Sequence, residues 1–320
     1  MTLNMIRGEN AFPEKELQRL VDYLTKDGKP DIIHLSNALI IGLARRIKKK
    51  MDVKIVCSLL NEDDWIDEMV EPYQSKAWKL ISREAANVDA FITPSNYYKD
   101  LFISKTGISD KNFHVIPLAI DPGNVNIAER RNNYPALGFF CRISSQNGFD
   151  KLVDAFIELK SGDSLPGLTL HVSGGYTGDD KPFIAEQIKK IKAHGLKSFI
   201  RIYPEFQGDS KQEFFSNIDI MSVPVRKHDG YGLYILEANA AGIPVVQPAT
   251  GAFPEIIEKT MGGITYSPDN VSELSANLLK LFKDNNLRAQ LGVSGRENVL
   301  KELSLDKMAE GLTEIYNSLK

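Results

Sequence analysis

Two successive α/β halves, each a parallel sheet with helices on both faces, are what this sequence predicts. Three observations carry the prediction. From about Asp31 to the end, short β-branched runs alternate with longer helical stretches, the signature of βαβ units. At 320 residues the chain is long enough for two domains of ordinary size, each with its own core. The stretch DPGNVNIAERRNNYP, Asp121–Pro135, is polar, charged and bracketed by prolines, which marks the break between the halves. The expected division is 1–127, 128–302 and a terminal helix over 303–320 that packs back on the first half.

In chain order, the residues before Asp31 read as one helix. Strands follow at Asp31–Leu35, Lys54–Ser58, Ala90–Thr93 and His114–Ile116, with helices between them. Ser95, in Thr93-Pro94-Ser95-Asn96, is an N-cap for the helix after the third strand. In the second half the strands are Leu137–Cys141, Thr169–Ser173, Ile200–Tyr203, Ile220–Val223, Pro244–Gln247 and Gly263–Tyr266. Gly242-Ile243-Pro244-Val245-Val246 reads as a turn into a short strand buried on both faces, the pattern of a parallel sheet.

Composition excludes several classes. A net charge of −3 gives no global basic field for nucleic acid. Cys57 and Cys141 sit in apolar strand-like runs and read as reduced, buried side chains. No apolar run approaches the ~18 residues a membrane span needs, and the N-terminus lacks a signal-peptide profile, so a cytoplasmic protein is expected. The basic run Arg45-Arg46-Ile47-Lys48-Lys49-Lys50 reads first as a solvated helix face. The acid pairs Asp63-Asp64 and Asp179-Asp180 invite a metal reading.

Residues 229–255, DGYGLYILEANAAGIPVVQPATGAFPE, say the most about chemistry. Gly230 and Gly232 let backbone approach an anion, and a helix beginning near Leu233 directs free N–H groups and a positive dipole end at it. Asp229 stays in the loop, while Glu237 lies one turn past Leu233 on the same face. Two acceptor groups flanking an anion site suit a ligand with phosphate in its middle and hydroxyls at both ends. For Glu237 alone, a helix-start glutamate complementing the dipole is the competing reading.

This stretch resembles the carboxylate-x7-carboxylate signature of the retaining GT-B glycosyltransferases, in particular family 4 (group 1), whose usual form is E-x-F-G-L-x-x-x-E-A-x-A-x-G-x-P-V-V followed by G-G-x-x-E. Here Asp229, one methylene shorter, takes the place of the first glutamate, Glu237 that of the second, and Gly251, Ala252, Pro254 and Glu255 fall in the closing segment. The resemblance runs along nearly the whole chain and implies two Rossmann-like doubly wound domains facing a cleft. It also implies an N-terminal domain that is truncated or abbreviated, because family members usually place further strand–helix units and a glycine-rich loop before the strand at Asp31–Leu35.

What the resemblance implies for function is the transfer of a hexose from a UDP- or GDP-sugar to a glycan, lipid-linked or small-molecule acceptor, with attack on the face from which the phosphate departs. No cofactor is implied beyond the donor, and no metal, because nothing around Asp63-Asp64 or Asp179-Asp180 resembles the Asp-x-Asp site of the GT-A enzymes, and GT-B enzymes meet the phosphate charge with side chains and a helix dipole. Arg142, Asp229 and Glu237 take the catalytic positions. Donor contacts fall on Arg142, Asn147, Gly148, Gly174, Gly230, Tyr231, Gly232, Leu233 and Glu237, with Glu237 on the ribose hydroxyls. Cys141-Arg142 through Asn147-Gly148 matches G-R-x-x-x-x-K-G, so Asn147 stands where a phosphate-binding lysine is usual, and Arg226 and Lys227 are the sequence-local cations that could replace it. An aromatic of Tyr203-Pro204-Glu205-Phe206 could flank the base. On the acceptor side His34, Asn61 and Glu62 end predicted strands, although a lone strand-end histidine is more often structural, and the usual catalytic histidine has Leu60 in its place. Some relatives use a basic N-domain helix for peripheral membrane contact, which extends to the Arg45–Lys50 run. The competing function is a non-catalytic nucleotide-sugar-binding paralogue or a fragment of a glycosyltransferase; a dinucleotide oxidoreductase is disfavoured because no G-x-G-x-x-G follows a first strand.

Overall fold

The computed structural model describes residues 2–8, 14–121, 134–162, 165–203 and 206–320. In chain order its elements are α1 (Thr2–Arg7), α2 (Glu14–Tyr23), β1 (Ile32–Leu35), α3 (Gly42–Lys48), β2 (Lys54–Ser58), α4 (Glu62–Asp67), α5 (Tyr73–Glu84), β3 (Ala90–Thr93), α6 (Asn96–Thr106) and β4 (Phe113–Val115), and then β5 (Ala136–Phe140), α7 (Phe149–Ser161), β6 (Thr169–Ser173), α8 (Lys181–Ala193), β7 (Ile200–Ile202), α9 (Gly208–Ser216), β8 (Ile220–Met221), α10 (Leu233–Ala240), β9 (Val245–Pro248), α11 (Phe253–Thr260), β10 (Gly263–Tyr266), α12 (Val271–Lys283), α13 (Asn285–Glu302) and α14 (Leu305–Leu319). Two compact units result, Met1–Leu118 with Met308–Lys320, and Ala119–Lys307. These bounds differ from 127/128 and 302/303 because Ile120 donates its N–H to the Leu303 carbonyl at 3.2 Å and bridges Ser304, which ties both segments into the second unit. Most of the polar break, residues 122–133, lies outside the described residues.

The first unit holds a four-stranded parallel sheet in the order β1-β2-β3-β4, with Ile33 opposite Ile55 and Val56 opposite Ala90. The order never reverses, and right-handed crossovers then put the connecting helices on one face. Side-chain alternation agrees: Leu35, Ile55, Cys57, Phe91 and Phe113 join the apolar faces of α3, α5 and α6. Val56, Ala90 and Ile92 turn the other way and cluster with Ile116 and with Ile315 of α14. The unit therefore gains its second helical layer from the far end of the chain instead of from a doubly wound strand order. Where the sequence suggests one opening helix there are two, and α1 buries Ile6 in the same core as α3 and α5.

The second unit holds six parallel strands in the order β10-β9-β8-β5-β6-β7. Strand order reverses between β5 and β8, the switch point outside whose carboxyl ends open α/β sheets bind ligands. Strand β8 ends at Met221 and not at Val223, because the Val223 N–H bonds the Gln247 side chain at 3.1 Å in place of a neighbouring strand. Aromatic rings fill this core, with Phe139 edge-on to Phe149 and Phe140 tilted against Phe214 and Phe215. Among the described residues no helix is long and apolar enough to cross a membrane.

His171 on β6 is buried with its ring nitrogens against Tyr203 Oη (2.9 Å) and Thr169 Oγ1 (3.1 Å). Burial, aided by the Arg201 charge, pulls it from the ordinary 6.5 to about 4. The unfolded chain then binds the proton more readily, so the stability His171 contributes is full above pH 6.5 and is lost as the pH falls toward 4. Chemical denaturation at stepped pH is expected to show this acid-side loss, and His171→Asn to flatten it.

Candidate functional site

The loops after β5 and β8 meet at the switch point. They touch so closely that a Cβ at Gly148 (φ 70°) would run into the Pro224 carbonyl oxygen. Arg226 holds the two loops together. Its N–H bonds the Gln146 carbonyl at 2.9 Å, and its guanidinium binds Asp150 through both oxygens and also the Ser145 carbonyl. Arg226 is thus committed to structure and does not replace the missing lysine charge.

From there the chain runs into Asp229-Gly230-Tyr231-Gly232 and the start of α10. Asp229 Oδ1 accepts the N–H groups of Tyr231 (3.0 Å) and Gly232 (3.1 Å), and the Asp229 carbonyl accepts from Ala252 at 3.0 Å. Gly232 is left-handed at φ 78°, and a side chain there would strike the Phe253 ring at 2.6 Å. The Tyr231 ring is buried, so this residue offers backbone, not its aromatic face, to the loop. Helix geometry leaves the N–H groups of Leu233 and Tyr234, the first two of α10, without intrahelical acceptors. They and the positive dipole end are the features for which the sequence suggests an anion. Beneath it lie the buried Tyr234 ring and Cys141, whose thiol burial pushes up to about 12 with help from the Asp229 charge.

Glu237 sits one turn further on, half-buried, with Oε1 at 2.6 Å from Lys211 Nζ of α9. Arg142, after β5, gives Nε and Nη2 to Asp180 at 2.9 and 3.1 Å and Nη2 to Thr177 Oγ1 at 3.0 Å, which leaves the donors on Nη1 outside the pair. The guanidinium and the Thr177 N–H hold the Asp180 carboxyl at about 2, against the opposing pull of burial. Asn147 turns back on its own loop, its Nδ2 donating to the Arg142 carbonyl at 2.8 Å. Gly174 packs against the Cys141 carbonyl, and the next residue, Gly175, lies under the exposed Phe206 ring, with Tyr176 also exposed beside it. Tyr203 is core, bonded to His171, while Pro204 and Glu205 lie outside the described residues.

The acceptor-side expectations need correction. His34 has both ring nitrogens engaged, with Tyr316 Oη at 2.6 Å and Ser58 Oγ at 2.7 Å, and it secures α14 to the first sheet. Glu62 is 3% exposed and accepts from Ala38 N–H (2.9 Å), Leu60 N–H (2.7 Å) and Tyr98 Oη (2.8 Å). It is an internal acceptor for three donors, and burial raises its pKa despite them. Asn61 takes the left-handed turn into α4 at φ 57°, a conformation asparagine tolerates. Sequence reasoning missed Lys211, which stands in no recognisable motif, and weighed Asp180 only as half of an acid pair that invites a metal, not as the partner of Arg142.

A family model described as glycosyl transferases group 1 matches residues 124–298, more than half of the chain, and a second, glycosyltransferase family 4, matches residues 7–124. The chain belongs to the group 1 glycosyltransferases. Its relatives include a D-inositol 3-phosphate glycosyltransferase of Salinispora arenicola, 28% identical over 59% of this chain and 43% of that one. A GDP-mannose-dependent monoacylated phosphatidylinositol monomannoside mannosyltransferase of Corynebacterium glutamicum is 26% identical over 58% of this chain and 47% of its own. The chain thus spans under half the length of each of these two relatives. In fold it is similar to the Anabaena protein HepE, solved with UDP, at a TM-score of 0.81 and 16% identity over 94% of this chain and 82% of that one. The shared fold is GT-B, two Rossmann-like parallel-sheet units.

Within this group 1 glycosyltransferase, Glu62→Ala leaves the Ala38 and Leu60 N–H groups and the Tyr98 hydroxyl without their acceptor. A loss on the order of 3 kcal/mol is expected in urea unfolding, and Glu62→Gln, which keeps one acceptor oxygen, is expected to lose less.

Proposed function

We propose that the chain is a retaining hexosyltransferase that uses a UDP- or GDP-sugar and delivers the sugar to a glycan, lipid-linked or small-molecule acceptor. One observation carries the reading: the glycine loop at the start of α10, Glu237 one turn in, and Arg142 on the adjoining loop converge at the switch point of the second unit. In this reading the α10 N-terminus and Arg142 receive the diphosphate, Glu237 the ribose hydroxyls, and the exposed Phe206 and Tyr176 stand on the base side. Asp229 holds the loop and reaches the transferred sugar from it. Charge developing on the departing nucleotide is met by fixed donors, so no metal is required. Of the similar proteins, one is GDP-mannose-dependent and one was solved with UDP, which supports a nucleotide-sugar donor without choosing the base. A cytoplasmic enzyme in peripheral contact with an anionic membrane is part of this proposal, and its support is the lysine cluster Lys48, Lys49, Lys50 and Lys54 around a concavity of about 410 Å³, whose wall also carries Asp52 and Asp89, the latter paired with Lys48 at 2.6 Å.

A second reading, binding without turnover, is favoured by Asn147, which brings no charge, and by the Arg142–Asp180 pair, which already neutralises the arginine. Transfer and donor-hydrolysis assays beside calorimetric titration with UDP and GDP separate the two; binding with no turnover across a broad acceptor panel sinks the enzyme reading. Glu237→Ala is expected to abolish nucleotide binding. Restoring the cation with Asn147→Lys is expected to raise kcat by up to roughly 100-fold, the scale of one transition-state donor, with KM changing much less.

A further inference from the structure

Glu237 occupies an unusual place on its helix. Tyr234, Ile235, Leu236, Ala238, Asn239 and Ala240 are all buried, and only Leu233 and Glu237, one turn apart, form an open stripe. A carboxylate on so narrow an open stripe takes its rotamer from the partner that packing places within reach. Among the described residues that partner is Lys211, four residues into α9, with Nζ at 2.6 Å from Oε1; the two side chains are 27% and 18% exposed.

We propose that Lys211 is a positioning residue of the donor site, which fixes the Glu237 carboxylate so that it reads the ribose diol of the nucleotide. The inference rests on the reading of Glu237 given above. An ammonium is a compact donor that takes a single lone pair of Oε1. One lone pair on Oε1 and both on Oε2 remain, enough for two vicinal hydroxyls to donate one bond to each oxygen. Without the lysine the carboxylate is free to turn toward water, and the paired geometry is lost. Arg226 does not take this place, because its guanidinium binds Asp150 at the start of α7.

The test compares UDP with 2′-deoxy-UDP, and GDP with 2′-deoxy-GDP, by calorimetric titration of the wild type, Lys211→Met and Lys211→Arg. The wild type is expected to prefer the ribonucleotide about tenfold or more, the scale of one hydrogen bond to a charged group. Lys211→Met is expected to weaken ribonucleotide binding about tenfold and bring the ribo-to-deoxy ratio close to one, while Lys211→Arg keeps most of both. A packing role alone would lower the melting temperature and leave that ratio untouched. If Lys211→Met is poorly folded, Lys211→Gln, which retains one neutral donor, is expected to give an intermediate ratio. An unchanged ratio in folded Lys211→Met or Lys211→Gln overturns the proposal while leaving the donor-site reading intact; a wild type that binds none of the four nucleotides overturns both.

Discussion

The reversal of strand order between β5 and β8 is the constraint on which the rest of the second unit depends. It brings two loops, far apart in sequence, to one point above the sheet, and they can share it only because Gly148 has no side chain to meet the Pro224 carbonyl. Arg226 then fastens one loop to the other through Asp150 and Ser145. With that junction rigid, the chain arrives at Asp229 in a fixed position, and Asp229 can fold the glycine turn around its own carboxylate. The free end of α10 is therefore aimed by the sheet topology, and its electrostatic character follows from backbone geometry.

Charge in this region is arranged as pairs. Arg142 is matched by Asp180, Arg226 by Asp150 and Glu237 by Lys211, and each pair joins segments separated in the chain. Exposed pairs contribute little to stability, so their value lies in geometry: each holds a long side chain in one rotamer at the edge of the sheet. The cost is selectivity of purpose. An arginine that stitches two loops is not available to a phosphate, and an arginine already paired with Asp180 offers only the donors its partner leaves.

The first unit solves a different problem. A sheet that advances in one direction receives helices on one face only, and Val56, Ala90 and Ile92 would otherwise be left bare. The apolar stripe of α14 covers them, and the His34–Tyr316 bond sets its place. In a linear reading His34 falls weakly on the acceptor side, although a histidine at a strand end is more often structural. Its partner is a tyrosine 282 positions away, which makes it a structural fastener.

Alternation of apolar runs, helix starts and glycine turns is local chemistry, and it was enough to determine the α/β class, nearly every strand within a residue or two, and the loop–helix element at Asp229–Glu237. Backbone preferences act over a few residues, so they survive in a linear reading. Side-chain commitments do not. That Glu62 serves three internal donors, that Asn147 turns back to a carbonyl, that Arg226 is already spoken for, and that a lysine on α9 reaches Glu237 were decided by tertiary structure alone. Each depends on which polar groups the fold buries beside one another, and a buried charge takes the partner that packing places within reach.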